Sequence, residues 1–150
     1  MLSKFIEHFD IIYTFEPDPI NFYCLNQNIS TPNVIKFQSC LGNTSETVTV
    51  QQLIRPDRPN DTGGVHVSGK GYMPTIVLDN LNLPGCDLIQ LDVEGSEMYV
   101  LYGARSSIRM HRPLIILETV NGGIQDMLFE EGYEVLKKVG PDTVFKHRDK

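Results

Sequence analysis

Glu16, Asp92, Glu94 and Glu118 each stand at or just after the end of an apolar run: YTFE at 13–16, DLIQLDVE at 87–94 and LIILE at 114–118. If those runs are strands of an open α/β sheet, the acids lie at the carboxyl ends, where such sheets bind ligands. A carboxylate after an early strand can accept hydrogen bonds from both hydroxyls of a ribose, which suits a nucleoside-type cofactor. Asp92 and Glu94 can act as general bases or orient a hydroxyl acceptor. Each acid also has a plainer use. Glu16 can cap the turn that follows it, and Asp92 and Glu94 can cap a helix starting near Ser96. Several acids on one sheet edge weigh toward chemistry, although strand ends favour polar residues in any case.

The remaining reactive side chains form no further constellation. His66, in a glycine-rich stretch, is either a substrate contact or a solvated loop histidine. His8, His111 and His147 show no metal-ligand spacing, and the acids form no recognisable metal motif, so no metal is expected. The cysteines Cys24, Cys40 and Cys86 have no CxxC spacing; thiols in a reducing compartment are the default for that pattern. Cys40 follows a strand and can line a pocket, but no base is paired with it to make a nucleophile.

The elements that must position these residues follow from local patterns. Phe5, Ile6 and Phe9 suggest the tail of a helix. Ile11–Phe15 reads as a buried strand. Asp18 then caps a helix with Pro19 at its first position and Phe22, Leu25 and Ile29 on one face. Thr31-Pro32-Asn33 stops it, and Val34–Gln38 is the next strand. Thr47–Leu53 alternates like a half-exposed antiparallel strand. Residues 55–72, with Pro56, Pro59, Gly63, Gly64, Gly69 and Gly71, read as a long loop with room for a short hairpin. Asp87–Val93 is a strand. Ser96 caps the following helix, which carries Glu97 in its first turn and Val100, Leu101, Ala104 and Ile108 on its apolar face. Leu114–Leu117 is a buried strand, Gly123–Glu131 a helix ended by Gly132, and Tyr133–Leu136 with Thr143–Lys146 a hairpin across Gly140-Pro141-Asp142. Strands alternating with helices predict a mainly parallel α/β sheet with a C-terminal antiparallel hairpin.

At 150 residues the chain suits a single domain, 1–150, and 41% hydrophobic with 21% charged residues suits a soluble globular protein. A formal net charge of −6 argues against nucleic acid as a partner. The basic group Arg105, Arg109, His111 and Arg112 falls where a helix would end, and cations there complement the helix dipole. No apolar run is long enough to span a membrane and no signal peptide is visible, so a cytoplasmic protein without a membrane partner is expected.

The segments Tyr13–Asn28 (YTFEPDPINFYCLNQN), Ser39–Gly42 (SCLG), Asn60–Gly64 (NDTGG) and Asp87–Thr119 together resemble the FkbM family of S-adenosylmethionine-dependent methyltransferases. The most specific part is LDVEGSE at 91–97, followed by Leu101, Gly103 and Ala104. The resemblance implies a Rossmann-like class I methyltransferase sheet, S-adenosylmethionine as cofactor, and methyl transfer to a hydroxyl of a sugar or small metabolite. It implies that Glu16 holds the cofactor ribose and that Ser39 and Cys40 lie beside the adenine. It places Asp92 and Glu94 at the transfer site, with Asp92 also against the cofactor. On the acceptor side it places Gly63 and Gly64, and His66 and Glu118 are assigned to the same substrate group.

One departure bears on function. Family members begin with a strand and a glycine-rich cofactor loop before the acid-bearing strand, and here only a short stretch precedes Ile11. By the resemblance that strand lies between those ending at Glu16 and Asp92, so its loss exposes ladder groups on both. Either those two strands close up, or a homo-oligomer or completing chain fills the gap, or the sequence is a truncated product. Alternatives to an active methyltransferase are a catalytically inactive remnant serving as a binding or interaction module, and another nucleotide-binding α/β enzyme such as a dehydrogenase. The dehydrogenase glycine fingerprint is absent as well.

Overall fold

The computed structural model describes residues 6–52 and 65–150. The chain divides into two units, Met1–Cys40 with Glu46–Thr75, and Leu41–Ser45 with Ile76–Lys150.

In the first unit, strand β1 (Ile12–Phe15) and strand β2 (Val34–Phe37) run parallel, with Tyr13 opposite Ile35 and Phe15 opposite Phe37. β-branched and aromatic residues suit this pleated surface. The rings of Phe15 and Phe37 stack at 5.0 Å and those of Tyr13 and Phe37 at 6.4 Å. Helix α1 (Pro19–Asn28) makes the crossover that parallel strands require. Its start is as the sequence predicts: the Asp18 carboxylate accepts from the Ile20 and Asn21 N–H groups, both at 2.9 Å. Its apolar face is thinner than the spacing suggests. No residue of α1 is fully buried; Phe22 and Leu25 are half-buried, and only Ile29, just past the helix, joins Val34 in the core. Of the expected N-terminal helix, Phe5 lies outside the described residues, and the described part is a 3-10 turn, Ile6–His8.

Strands β3 (Cys40–Leu41), β4 (Thr47–Gln52) and β5 (Val65–Ile76) form a three-stranded sheet in the order β3-β5-β4. The expectation of a loop through residue 72 is therefore corrected. Residues 65–72 belong to a strand antiparallel to β4, with a register shift at Val48 that absorbs the irregular glycine spacing.

In the second unit, β6 (Leu88–Leu91), β7 (Leu114–Leu117), β8 (Tyr133–Val139) and β9 (Asp142–His147) form one sheet in the order β6-β7-β9-β8. β6 and β7 are parallel; β7·β9 and β8·β9 are antiparallel. The predicted hairpin is present. Among the described strands, β1·β2 and β6·β7 are parallel while β4·β5, β7·β9 and β8·β9 are antiparallel, so parallel pairing does not dominate. Among the described residues β1 and β6 belong to different sheets, one in each unit.

Helices α2 (Glu97–Gly103), α3 (Arg105–His111) and α4 (Gly122–Glu130) supply the helical layer. Val100, Leu101, Ala104 and Ile108 are all buried, as their spacing predicts, with Ile115, Leu117, Ile124, Leu128, Tyr133 and Phe145. Full burial of each large apolar side chain contributes roughly 1.5–3 kcal/mol. The continuous helix expected over this stretch is broken at Ala104 (φ −112°, ψ 6°). Ser96 occupies the N-cap of α2, but its side chain makes no capping bond.

The cap of α3 comes instead from a distant residue. Asp79, in the 3-10 turn Leu78–Leu81, accepts from Ser106 N, Ser107 N and Ser107 Oγ, each at 2.8 Å. Burial pushes the Asp79 carboxyl up, but the bonds from Ser107 and Ser106 outweigh it, and its pKa is lowered. Asp79→Ala is expected to destabilise the chain by about 1–2 kcal/mol, as loss of a helix cap does. The contribution of a carboxyl with a lowered folded pKa is full above its unfolded value and is lost as pH falls through the folded one. Chemical denaturation should therefore separate wild type from variant at neutral pH, and the gap should close as pH falls below the ordinary aspartate value and through the lowered folded one. An equal gap across that range would refute the cap.

The basic cluster resolves structurally. Arg105 and Arg109 both pair with Glu131 at 2.6 Å, tying α3 to the end of α4.

Candidate active site

Glu16 leaves β1 with its N–H bonded to Phe37 O at 3.0 Å, one step beyond the β1·β2 ladder. Its Oε1 accepts from Asp18 N at 2.8 Å. Burial raises its pKa, opposed by that backbone bond and by a bond with the Asn21 side chain. Ser39 and Cys40 follow β2, and both are buried. Burial first, and the Glu16 charge second, push the Cys40 thiol up to about 11. A thiol raised that far is protonated at physiological pH. The Ser39 hydroxyl is 2% exposed and its Oγ has no hydrogen-bond partner among the described residues. A buried hydroxyl in that state costs free energy until something bonds to it.

The second cluster is built by strand register. Leu91 lies opposite Leu117 in the parallel β6·β7 pair, so the next residues, Asp92 and Glu118, emerge side by side. Leu117 also lies opposite Thr143 across β7·β9, which brings Asp142 to the same edge. Glu118 is raised to about 7, first by its hydrogen bond with Asp92, then by the Asp92 charge, burial, and the charges of Glu94 and Asp142. Both Glu118 and Asp92 are exposed, so the shift comes from the neighbouring acids more than from burial. Glu94 reaches this group from a turn in which it has φ 48° and Gly95 has φ 94°.

The structure thus brings Glu16 together with Cys40, and Asp92 with Glu94 and Glu118. Asp142 was not singled out by sequence reasoning. The signal lay in the Gly140-Pro141-Asp142 turn, which feeds β9 back along β7. His66 sits exposed on β5, paired with Gln51, rather than in a loop. Gly63 and Gly64 lie outside the described residues. Among the described residues, no group of three or more His, Cys, Asp or Glu is arranged to hold a metal ion, and no helix is long and apolar enough to cross a membrane.

The family model for the methyltransferase FkbM domain matches residues 4–140. The chain belongs to the FkbM methyltransferase family. A solved structure of methyltransferase FkbM from Methylobacillus flagellatus KT superposes with a TM-score of 0.63 at 18% sequence identity. That match covers 93% of this chain and 37% of the other, so the chain spans little more than a third of the solved protein. At that identity the likeness establishes the α/β fold. No curated protein matches the sequence. Within this FkbM domain, the LDVEGSE block occupies the end of β6, the left-handed turn and the start of α2. It is the segment that delivers Asp92 and Glu94.

Proposed function

We propose that this FkbM-family domain transfers a methyl group from S-adenosylmethionine to a hydroxyl of a sugar or small metabolite. The observation that carries the reading is the Asp92–Glu118 pair, a carboxyl poised near pH 7 at the carboxyl ends of adjacent parallel strands. A group that exchanges its proton at the working pH is the best general base. Glu118, when ionised, takes the proton of the acceptor hydroxyl, and Asp92 orients and shares it. Glu94 adds negative charge that keeps Glu118 basic.

S-adenosylmethionine, when bound, supplies a methyl group made electrophilic by its sulfonium. The residues of the first unit fit such a cofactor on one specific count: the orphaned Ser39 Oγ is a buried donor and acceptor awaiting a polar partner. The carboxylate of Glu16 would hold ribose hydroxyls, and the neutral Cys40 would line the adenine side. Gly63, Gly64 and His66 stay assigned to the acceptor side.

A second reading, an inactive remnant used as a binding module, is favoured by one contact. The bond from Asp18 N to Glu16 Oε1 gives that acid a structural use without any cofactor.

Isothermal titration of the chain with S-adenosylmethionine and with S-adenosylhomocysteine separates the two. The methyltransferase reading expects saturable binding of both. No binding by a chain with folded circular dichroism supports the remnant. Glu16→Ala is expected to weaken binding about 10- to 100-fold, the loss of a charge-assisted hydrogen bond, and to lower the melting temperature only modestly, through the lost bond from Asp18 N. Equal affinity in the variant removes Glu16 from the cofactor site.

A further inference from the structure

Glu97 opens α2 and is 1% exposed, immediately before the buried Val100 and Leu101. Burying a carboxylate costs several kcal/mol unless it is paired, whereas an apolar side chain of similar length would fill the space without that cost. Packing therefore does not account for an acid here. Its bonding partner is informative. Glu97 Oε1 accepts from Gly95 N at 3.4 Å, a long bond directed at the backbone of the preceding turn. In that turn Glu94 has φ 48° and Gly95 φ 94°. The left-handed region is open to glycine but strained for a residue that carries a Cβ. A non-glycine residue stays there only when its surroundings hold it.

We propose that Glu97 is a positioning residue: its buried carboxylate holds Gly95 N, locks the left-handed Glu94–Gly95 turn, and so keeps the Glu94 carboxylate against the Asp92–Glu118 pair. The functional meaning rests on the reading of that pair as the proton acceptor, but the positioning is testable without it. The charged groups that face Glu118 are Asp92, Glu94 and Asp142. Glu97 is not among them.

The test compares Glu97→Met, which keeps length and apolar volume but has no acceptor oxygen, with Glu97→Gln, whose amide oxygen can accept the same N–H. Three quantities are read on the full chain: thermal unfolding, amide exchange of Gly95 against Ile89 and Ile115, and the titration midpoint of the Glu118 carboxyl by carbon NMR. For Glu97→Met the melting temperature should hold or rise, since a buried charge is replaced by a hydrophobe. Gly95 should exchange about 10-fold faster or more through local opening, with Ile89 and Ile115 still protected. The Glu118 midpoint should fall below its wild-type value, because the Glu94 carboxylate is no longer held nearby. Glu97→Gln should keep Gly95 slow and the Glu118 midpoint near wild type.

Unchanged Gly95 exchange in Glu97→Met overturns the proposal, as does faster exchange with an unmoved Glu118 midpoint. Glutamine behaving like methionine overturns it too. A Glu97→Met chain that fails to fold makes the carboxylate a requirement of the fold and also overturns it. None of these readouts uses cofactor or acceptor. Failure to bind S-adenosylmethionine would thus sink the transfer reading while leaving this one to its own result.

Discussion

Gly103→Ala is expected to lose roughly 3 kcal/mol of stability or more, at or beyond the upper end for overpacking a filled interior. A Cβ at Gly103 would lie 1.9 Å from Gly42 O and 2.9 Å from Gly42 C. Both neighbours are backbone, so no side chain can swing aside. Either α2 must move off residues 41–45 or the 41–45 segment must shift. The second option disturbs the bond of Gly42 N to Ile76 O at 3.0 Å. Total stabilities of 5–15 kcal/mol leave little margin for such a loss. The melting temperature should fall by roughly 6–12 °C for a chain of this size. Gly122→Ala is the matched control. Nothing lies within 4 Å of a Cβ there, and the residue begins α4, so alanine should be neutral or mildly stabilising. Circular dichroism melts of the two variants decide the point. A Gly103→Ala melt that overlays wild type would mean that the close approach of α2 to Gly42 is not maintained in solution.

Under the proposed function, Asp92→Ala is expected to cut methyl transfer by up to about 10²–10⁴-fold, the usual contribution of a proton acceptor such as the Glu118 that Asp92 orients, and to affect S-adenosylmethionine affinity much less. Its second signature lies in the pH profile. Glu118 accepts a proton only when ionised, so the wild-type rate should rise with pH through about 7 and level off above it. The hydrogen bond and charge of Asp92 are the two largest reasons for that high value. Removing them lowers the Glu118 pKa, so the rising limb of the residual activity must move to lower pH. Initial rates across pH 4 to 9, roughly the range spanning ordinary and raised carboxyls, test both effects. A variant that turns over at the wild-type rate rejects the role of Asp92. A limb that stays near its wild-type position rejects the coupling to Glu118, whatever happens to the rate.

Much of the local structure was legible because its causes are local. Asp18 followed by Pro19 specifies a helix start through a carboxylate within reach of the next N–H groups, and the bonds to Ile20 and Asn21 realise it. The apolar runs at 12–15, 88–91 and 114–117 are strands, and Gly140-Pro141 turns a hairpin. The failures also have local reasons. Glycines between 63 and 71 look like loop punctuation, yet Gly71 in β5 is demanded by proximity: a Cβ there would sit 2.4 Å from Val48 O. The α2–α3 face carries one helical period through Ile108, and periodicity does not register a single-residue break at Ala104.

The sequence by itself determined the type and order of most elements, the strand at 65–72 and the break at Ala104 excepted, the placing of Glu16, Asp92, Glu94 and Glu118 at strand ends, and, through LDVEGSE, the FkbM resemblance. These depend on side-chain period, backbone propensity and neighbours a few residues apart. Only the tertiary structure decided which strand lies beside which. From that came the separate sheets of β1 and β6, the pairing of Asp92 with Glu118, and the arrival of Asp142. It also brought Asp79 to a helix start 27 and 28 residues away, set Gly42 against Gly103, and buried Glu97. Such contacts join residues far apart in the chain, and their energy exists only once sheet register and helix packing have been chosen. The upward shift of the Glu118 carboxyl is of that kind: it comes from Asp92, Glu94 and Asp142, which the fold places around it.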